Sequence, residues 1–480
     1  MLLYQLNQSI FIALMFYRDF TQVKNYECNY NGFIEIKERD MKSKIKKGLK
    51  ITLLVIVVFF TVVAVINTAP FDQELKPEVI ELMRKPAYPE IKDNAYFALM
   101  GINAAENKNI IEVGNQLIQR HMANRNNNDD ALNDSDYEEI LGLNKNSVAN
   151  WMNDYSPCQR RINFDCLTSQ DNDIFKNIYS RQRFQLMLKR YQEIIGMKIY
   201  NNFSDWSLGT PFPPYGSLSR ISDIHLTYLY RNDSSHEFLL NLNRDQKFWK
   251  NMLTNGTMVL DKMVAISKIK INISYLSEYI RKNKINDEDL LLINEMLIPL
   301  LTKQLNLSAS FKNESRSMLL FNHSIEKEMT FYDNLFYQPN ASSNYLYENT
   351  IKRQLYWCNL PMDEFIELRK SVKELQPASK LQLHYLYNFI GKTLLDYSAG
   401  ASAVGDYVGR GFDTNNMIKM VQIQLQHKLS KNIGMTEMLS KQENSNPYDG
   451  KSFNFDNQNG ILSFECLDTF KKCEIKINSD

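Results

Sequence analysis

The chain has 480 residues, of which 56 are basic and 55 acidic. That balance excludes the basic excess or stripe of a nucleic-acid binder. The 26 Tyr and 26 Phe exclude general disorder, and the length supports one large core or two moderate ones.

Met1 to Tyr17 is mildly apolar but interrupted by Gln5, Asn7 and Gln8. A well-formed export segment begins only at Met41, so 1–40 reads as a cytoplasmic tail or an upstream extension. The run Ile51 to Ile66, ITLLVIVVFFTVVAVI, carries no charge. With Leu49, Thr68 and Ala69 it approaches the roughly 17–25 residues that span a bilayer core. Lys42, Lys44, Lys46, Lys47 and Lys50 crowd its N-terminal side, and Asp72 and Glu74 follow it. By the positive-inside rule the N-terminus is cytoplasmic and the bulk is exported. The segment reads as a signal anchor, because the apolar run continues past Ala64. The alternative is a cleaved signal peptide ending at Val62-Val-Ala64.

Residues 70–90 contain Pro70, Pro77, Pro86 and Pro89 and read as a spacer with one short helix starting at Pro77. Asp93 to Gly101 reads as a buried element and Asn109 to Asn124 as an amphipathic helix. Arg125 to Asp136 is a polar loop. A long helix is expected from Asp171 to about Tyr200, then a break at Gly209 to Gly216. Further helices are expected at 220–230, 236–253, 257–283, 286–305, 323–338, 348–357, 361–375, 379–397 and 402–430. At the end, Ser452 to Asp456 and Ile461 to Glu465 flank a turn and predict a hairpin.

The cysteines are patterned. Cys158 and Cys166 lie close together, as do Cys466 and Cys473, while Cys358 stands alone. Two local pairs on the exported side predict two short-loop disulfides. The spacing does not suit zinc, which favours C-x-x-C with nearby His. Cys358 reads as a buried thiol. Sequons such as Asn202, Asn255, Asn272 and Asn306 read as chance products of an Asn-rich chain.

No motif carries a reaction. Gly391-Lys-Thr393 lacks the first Gly of a phosphate loop, since Leu386 stands there. The Gly400, Gly405, Gly409 and Gly411 cluster reads as close helix packing or a kink. Ser267-x-x-Lys270 and Ser324-x-x-Lys327 lack companion motifs. His323 with Glu326 lacks a second His, and Asp363, Glu364 and Glu367 read as a solvated helix face. No catalytic residue, cofactor or metal is assigned.

Two C-terminal stretches stand out: Asn388-Phe-Ile-Gly391 with the later Arg410, and Asn446-Pro447-Tyr-Asp-Gly450-Lys451. With the N-terminal anchor they resemble uncharacterised single-pass inner-membrane proteins of Gram-negative bacteria. In that group the first motif tends to read N-P-x-G, where this chain has Phe389 and Ile390. The resemblance implies a helical periplasmic domain and brings no reaction with it.

The expected fold is mainly α. One N-terminal transmembrane helix (41–69) and the spacer (70–90) lead to an irregular multi-helix exported domain (91–435). A small C-terminal β-hairpin with a disulfide loop (446–480) completes it. The expected function is binding or structural, in the cell envelope, with a partner protein or cell-wall component and the membrane as partners. The alternative is an envelope hydrolase or transferase assembled from distant helices.

Overall fold

The computed structural model describes residues 34–67, 71–126, 132–142, 164–168, 172–203, 205, 209–330, 333, 336–374, 386–398, 401–430, 433–468 and 472–477. Residues 1–33 and Cys158 lie outside them. The chain divides into two compact units, Met1–Thr68 and Ala69–Asp480.

In the first unit, helix α1 runs Ile34–Ile66. Its stretch Ile45–Ile66 is long and apolar enough to cross a membrane. Ile51 and most of the apolar side chains after it are exposed, and Ile66 is half-buried. Apolar side chains left facing outward are costly in water and favourable in hydrocarbon. Lys46, Lys47 and Lys50 are exposed on the same helix. Lys42 and Lys44 lie in it, and their side chains are outside the described set.

The second unit is mainly helical, with a small antiparallel sheet at its C-terminal end. Its first helices are α2 (Pro77–Met83), α3 (Ala95–Met100), α4 (Ile110–Asn126), α5 (Asp134–Leu141), α6 (Asn172–Ser180) and α7 (Gln182–Gly196). The central set is α8 (Tyr215–Asn232), α9 (Ser235–Asn255), α10 (Val259–Lys282) and α11 (Asp287–Met296). After them come α12 (Thr302–Leu305), α13 (Ser308–Ser324), α14 (Pro339–Leu346), α15 (Lys352–Cys358), α16 (Met362–Glu374) and α17 (Phe389–Ser398). The last helices are α18 (Ala401–Leu429) and α19 (Met435–Ser440).

Local signals account for many of these starts. Pro77 occupies the first turn of α2, where its missing N–H is no loss. Asn133, Ser234 and Asn286 cap α5, α9 and α11 through side-chain oxygens. Helix α3 buries all six of its residues, as expected for Asp93 to Gly101.

One large core joins α3 to α11 with the C-terminal half of α18 and the sheet; Trp249, Tyr191 and Phe238 are fully buried in it. A second cluster surrounds the N-terminal half of α18 with Phe311, Trp357, Phe365 and Phe412. A third joins Val79 of α2 to Leu319, Leu346, Ile351 and Leu395. The long helix α18 thus serves two cores, with Val404 and Val408 in one and Ile418 and Val421 in the other.

Several expected boundaries are corrected. The helix read from Asp171 to Tyr200 is two helices, α6 and α7, separated at Arg181 and ending at Gly196. The helix read over 286–305 stops at Met296, because Pro299 has no N–H to continue it. The helix read over 323–338 is displaced: α13 ends at Ser324, and Ile325–Glu328 makes a single 3-10 turn. In place of the start read at 348, Tyr347–Ile351 forms a π turn that joins α14 to α15.

The C-terminal hairpin gains a third strand. Strands β1 (Asn454–Asp456), β2 (Ile461–Phe464) and β3 (Cys473–Lys476) pair in the order β1-β2-β3, all antiparallel. Cys473, Ile475 and Ile477 face inward, and Glu474 and Lys476 are half-exposed. That alternation buries one side of the strand. Asp456 accepts from the N–H groups of Gln458 and Asn459 and closes the turn between β1 and β2.

Candidate functional site

Cys466 and Cys473 are joined in a disulfide that links the end of β2 to β3. Cys166 is buried and disulfide-bonded as well. Cys358 is a buried free thiol, and burial pushes its pKa up to about 12. A thiol held protonated in this way is a poor nucleophile.

The oxidised segment beside Cys166 is clamped by charged side chains from α8 and α10. Arg231 Nε donates to the carbonyl of Leu167 at 2.6 Å. Glu278 accepts from the N–H of Leu167 at 2.9 Å and from Thr168 Oγ1 at 3.1 Å. Arg281 and Lys282 each reach Asp165 at 2.6 Å. Burial pushes the Asp165 carboxyl up, but the hydrogen bonds from Lys282 and Arg281 outweigh it and hold the pKa at about 2. Burial raises Glu278, and the Leu167 N–H and Lys282 oppose that rise.

Between this segment and β3 lies a cleft of about 420 Å³, open solvent included. Phe164, Cys166, Tyr275, Glu278, Arg281 and Lys476 line it. Its enclosed part is only about 40 Å³. This suits a small polar group rather than a drug-sized ligand. Gln424 of α18 fixes the far wall: its amide donates to the carbonyls of Ser277 and Lys476, both at 3.2 Å. The cleft thus joins an oxidised loop, α10 and the strand that begins at the second disulfide.

Asp413 approaches Cys466 and Cys473 closely enough to suggest a metal. The sulfurs are bonded to each other, so they supply no thiolate. The Asp413 carboxylate accepts from Tyr448 Oη at 2.7 Å and from the N–H groups of Leu467 and Asp468 at 2.9 and 3.0 Å. The constellation anchors the disulfide loop to α18.

Most motif residues of the C-terminal stretches make packing or turn contacts. Asn388 is buried with φ 54°, a left-handed conformation that Asn tolerates. Its Oδ1 accepts from the N–H of Gln338 at 2.9 Å, and its Nδ2 donates to Ser342 at 2.9 Å. A Cβ on Gly391 would lie 2.0 Å from Ser342 Oγ. Arg410 donates to Asp468 at 2.9 Å. Asn446 Oδ1 accepts from Asn416 at 3.1 Å, and its N–H donates to the carbonyl of Lys451. Gly450 takes φ 70° to close that turn, while Pro447 and Lys451 are exposed. No described contact brings Asn388 and Gly391 to the Asn446 turn. In the glycine cluster, a Cβ on Gly405 would lie 2.6 Å from Trp357 Cζ3, so close packing accounts for that glycine, while Gly400 lies outside the described residues. Asp363, Glu364 and Glu367 are exposed as expected, and Asn202 and Asn272 are too buried to be sequon acceptors.

Two buried polar clusters carried no sequence signal, because their members come from separate helices. In the first, Asp245 of α9 accepts from Tyr191 Oη (2.5 Å), Ser222 Oγ (3.1 Å), Trp249 Nε1 (2.9 Å) and Asn272 Nδ2 (2.8 Å). Beside it, Lys268 pairs with Asp223 at 2.9 Å, both side chains buried. In the second, Tyr215 donates to the fully buried Asp261, whose Oδ2 has no hydrogen-bond partner. Burial raises the Asp261 pKa to about 7 against the opposing hydrogen bonds from Tyr215 and Tyr200. Glu314 accepts from the N–H of Val259 at 3.0 Å, and burial raises it to about 7 also, with the Asp261 charge adding to the rise. Lys262 is lowered to about 8 by burial and donates to the carbonyl of Leu253 at 2.6 Å.

Compared with protein-family models, with curated proteins and with solved structures, the chain matches none.

Proposed function

We propose that the chain is a membrane-anchored binding component of a bacterial cell envelope, with a cytoplasmic N-terminus and a periplasmic C-terminal unit. One observation carries the reading. A helix apolar enough to span a membrane, preceded by lysines, leads into a unit with an oxidised cysteine pair. Lysines favour the cytoplasmic side, and disulfides persist in oxidising compartments. The cleft supports a binding role. Its walls are held by disulfides, and Glu278, Arg281 and Asp165 are already paired with one another or with the loop. A small rigid recess of this kind accepts one projecting group of a larger partner, an envelope protein or a cell-wall component.

Two experiments test this. Protease added to spheroplasts should digest the folded unit while α1 stays in alkali-washed membranes; digestion from the cytoplasmic side alone overturns the placement. A photo-crosslinker at Lys476 should capture a partner that is lost when Ser277→Trp fills the recess; capture unchanged by that substitution overturns the cleft assignment.

The second reading, an envelope hydrolase or transferase, is favoured by Asp261 and Glu314. Both are raised to about 7, the range of general acids and bases. Turnover of an envelope substrate by the full chain, abolished in Glu314→Gln, would establish it over the binding reading.

A further inference from the structure

We infer that the folded unit also rests on the lipid surface through an apolar rim around Phe71, an inference that depends on the membrane-anchored reading above. The first argument is the length of the leash. Only residues 67–70 separate Ile66 from Phe71. Five residue steps reach at most about 18 Å. Phe71 is not free to swing away, because its carbonyl accepts from Tyr387 Oη at 3.0 Å. Asp72 then caps α14, accepting from the N–H groups of Asn340 and Ala341 at 3.0 and 2.9 Å. The N–H of Lys76 donates to Asn344 Oδ1 at 3.0 Å. If α1 spans a bilayer, the surface around Phe71 is therefore held within a short distance of lipid.

The second argument is what that surface carries. Phe71, Ile80, Met318, Phe321 and Leu394 are 55%, 49%, 40%, 47% and 46% exposed. Met318 and Phe321 are three apart and share one side of α13. Ile80, Met318 and Leu394 are chain neighbours of Val79, Leu319 and Leu395, which form the buried third cluster. The exposed side chains thus belong to the elements that pack around that cluster. Tyr345 and Tyr387 stand close by, with Lys392 Nζ 5.8 and 5.5 Å from their ring centroids. Tyr345 and Tyr387 are half-exposed, and aromatic rings with a polar tip settle at a membrane–water boundary; Lys392 itself is buried beneath them. Leu291 and Ile298 are 73% and 53% exposed, but no leash ties them to α1.

The test uses the full chain in vesicles of phosphatidylethanolamine and phosphatidylglycerol. An environment-sensitive fluorophore is placed singly at Ile80→Cys, Met318→Cys or Leu394→Cys, with Leu291→Cys as the reference. The rim positions should emit to the blue of the reference and be quenched by headgroup-level spin-labelled lipid. Rim labels that match the reference while the chain floats with the vesicles overturn the inference and leave the anchor standing. A blue shift without quenching by the lipid also overturns it, since another copy or a protein then covers the rim. A chain that fails to float overturns the inference together with the anchor. Using three rim positions guards against one variant misfolding.

Discussion

Asp245 and Asp261 lie in the adjacent helices α9 and α10, and both are fully buried. Their surroundings treat them differently. Asp245 receives four hydrogen bonds from four helices, two on each carboxylate oxygen. Asp261 is approached by Tyr215 and Tyr200, and its Oδ2 has no partner. A buried charge is tolerated when donors replace the water it lost; otherwise the group takes up a proton instead. The difference teaches that burial alone does not set the cost of placing a carboxyl in a core. The supply of donors does.

The sharpest way to break this comparison is Asp245→Ala. It strands the donors of Tyr191, Ser222, Trp249 and Asn272 in the core, and the expected loss is about 4 kcal/mol of folding stability in denaturant titration. A loss near that of an average surface substitution would show that water reaches the site. Next comes Lys268→Met, which leaves Asp223 buried without its cation. About 3 kcal/mol should be lost, and Asp223→Leu in the same chain should recover most of it. Failure of the second change to rescue would mean that the pair is not a closed unit.

Asp261 predicts an effect of the opposite sign. Its folded pKa, about 7, lies above the ordinary 3.8, so the folded state holds a proton that the unfolded state releases. Stability therefore falls as pH rises from about 4 to about 7, by about 1.4 kcal/mol per pH unit, and is flat above that window. Asp261→Asn mimics the protonated carboxyl and keeps an acceptor for Tyr215. It should flatten that slope and make the protein more stable than the parent at pH 8, as read by melting temperature across pH. An unchanged slope would show that Asp261 is ionised when folded. Glu314→Gln should act in the same direction over a narrower window, because its ordinary pKa is 4.5 and its folded value is also about 7. Its effect is expected to be the smallest of the four.

Much of the architecture was legible because local chemistry and tertiary structure agree. Pro77 started a helix, the 3.6-residue pattern of Ile110 to Ile118 gave α4, and the alternation around Phe453 to Phe455 gave the hairpin. Helix α13 was missed for a physical reason. Its inner face buries Ser310, Ser315, Arg316 and Asn322 alongside Phe311 and Leu319, so its apolar stripe is broken by polar residues. Arg316 is held inside by Asp205 at 2.5 Å and by the carbonyl of Arg84 at 2.9 Å. Those partners lie more than a hundred residues away, and no window of sequence contains them. The third strand was overlooked because Cys473 to Ile477 is short. Only pairing with β2 and burial of Cys473, Ile475 and Ile477 against the helices define it.

The same division runs through the candidate sites. The sequence by itself determined the apolar span at Ile51 to Ile66 and its lysine flank, because solvation of a continuous segment is a local property. It also determined the pairing of Cys466 with Cys473, because a short loop keeps their sulfurs near each other. Only the tertiary structure decided that Asn388, Gly391, Asn446 and Gly450 shape turns and close contacts, since their partners are remote in the chain. It alone assembled the cleft between the Cys166 segment, α10 and β3. It alone gave both carboxylate oxygens of Asp245 their donors and left Oδ2 of Asp261 without one, because hydrogen-bond supply in a core depends on which helices meet there.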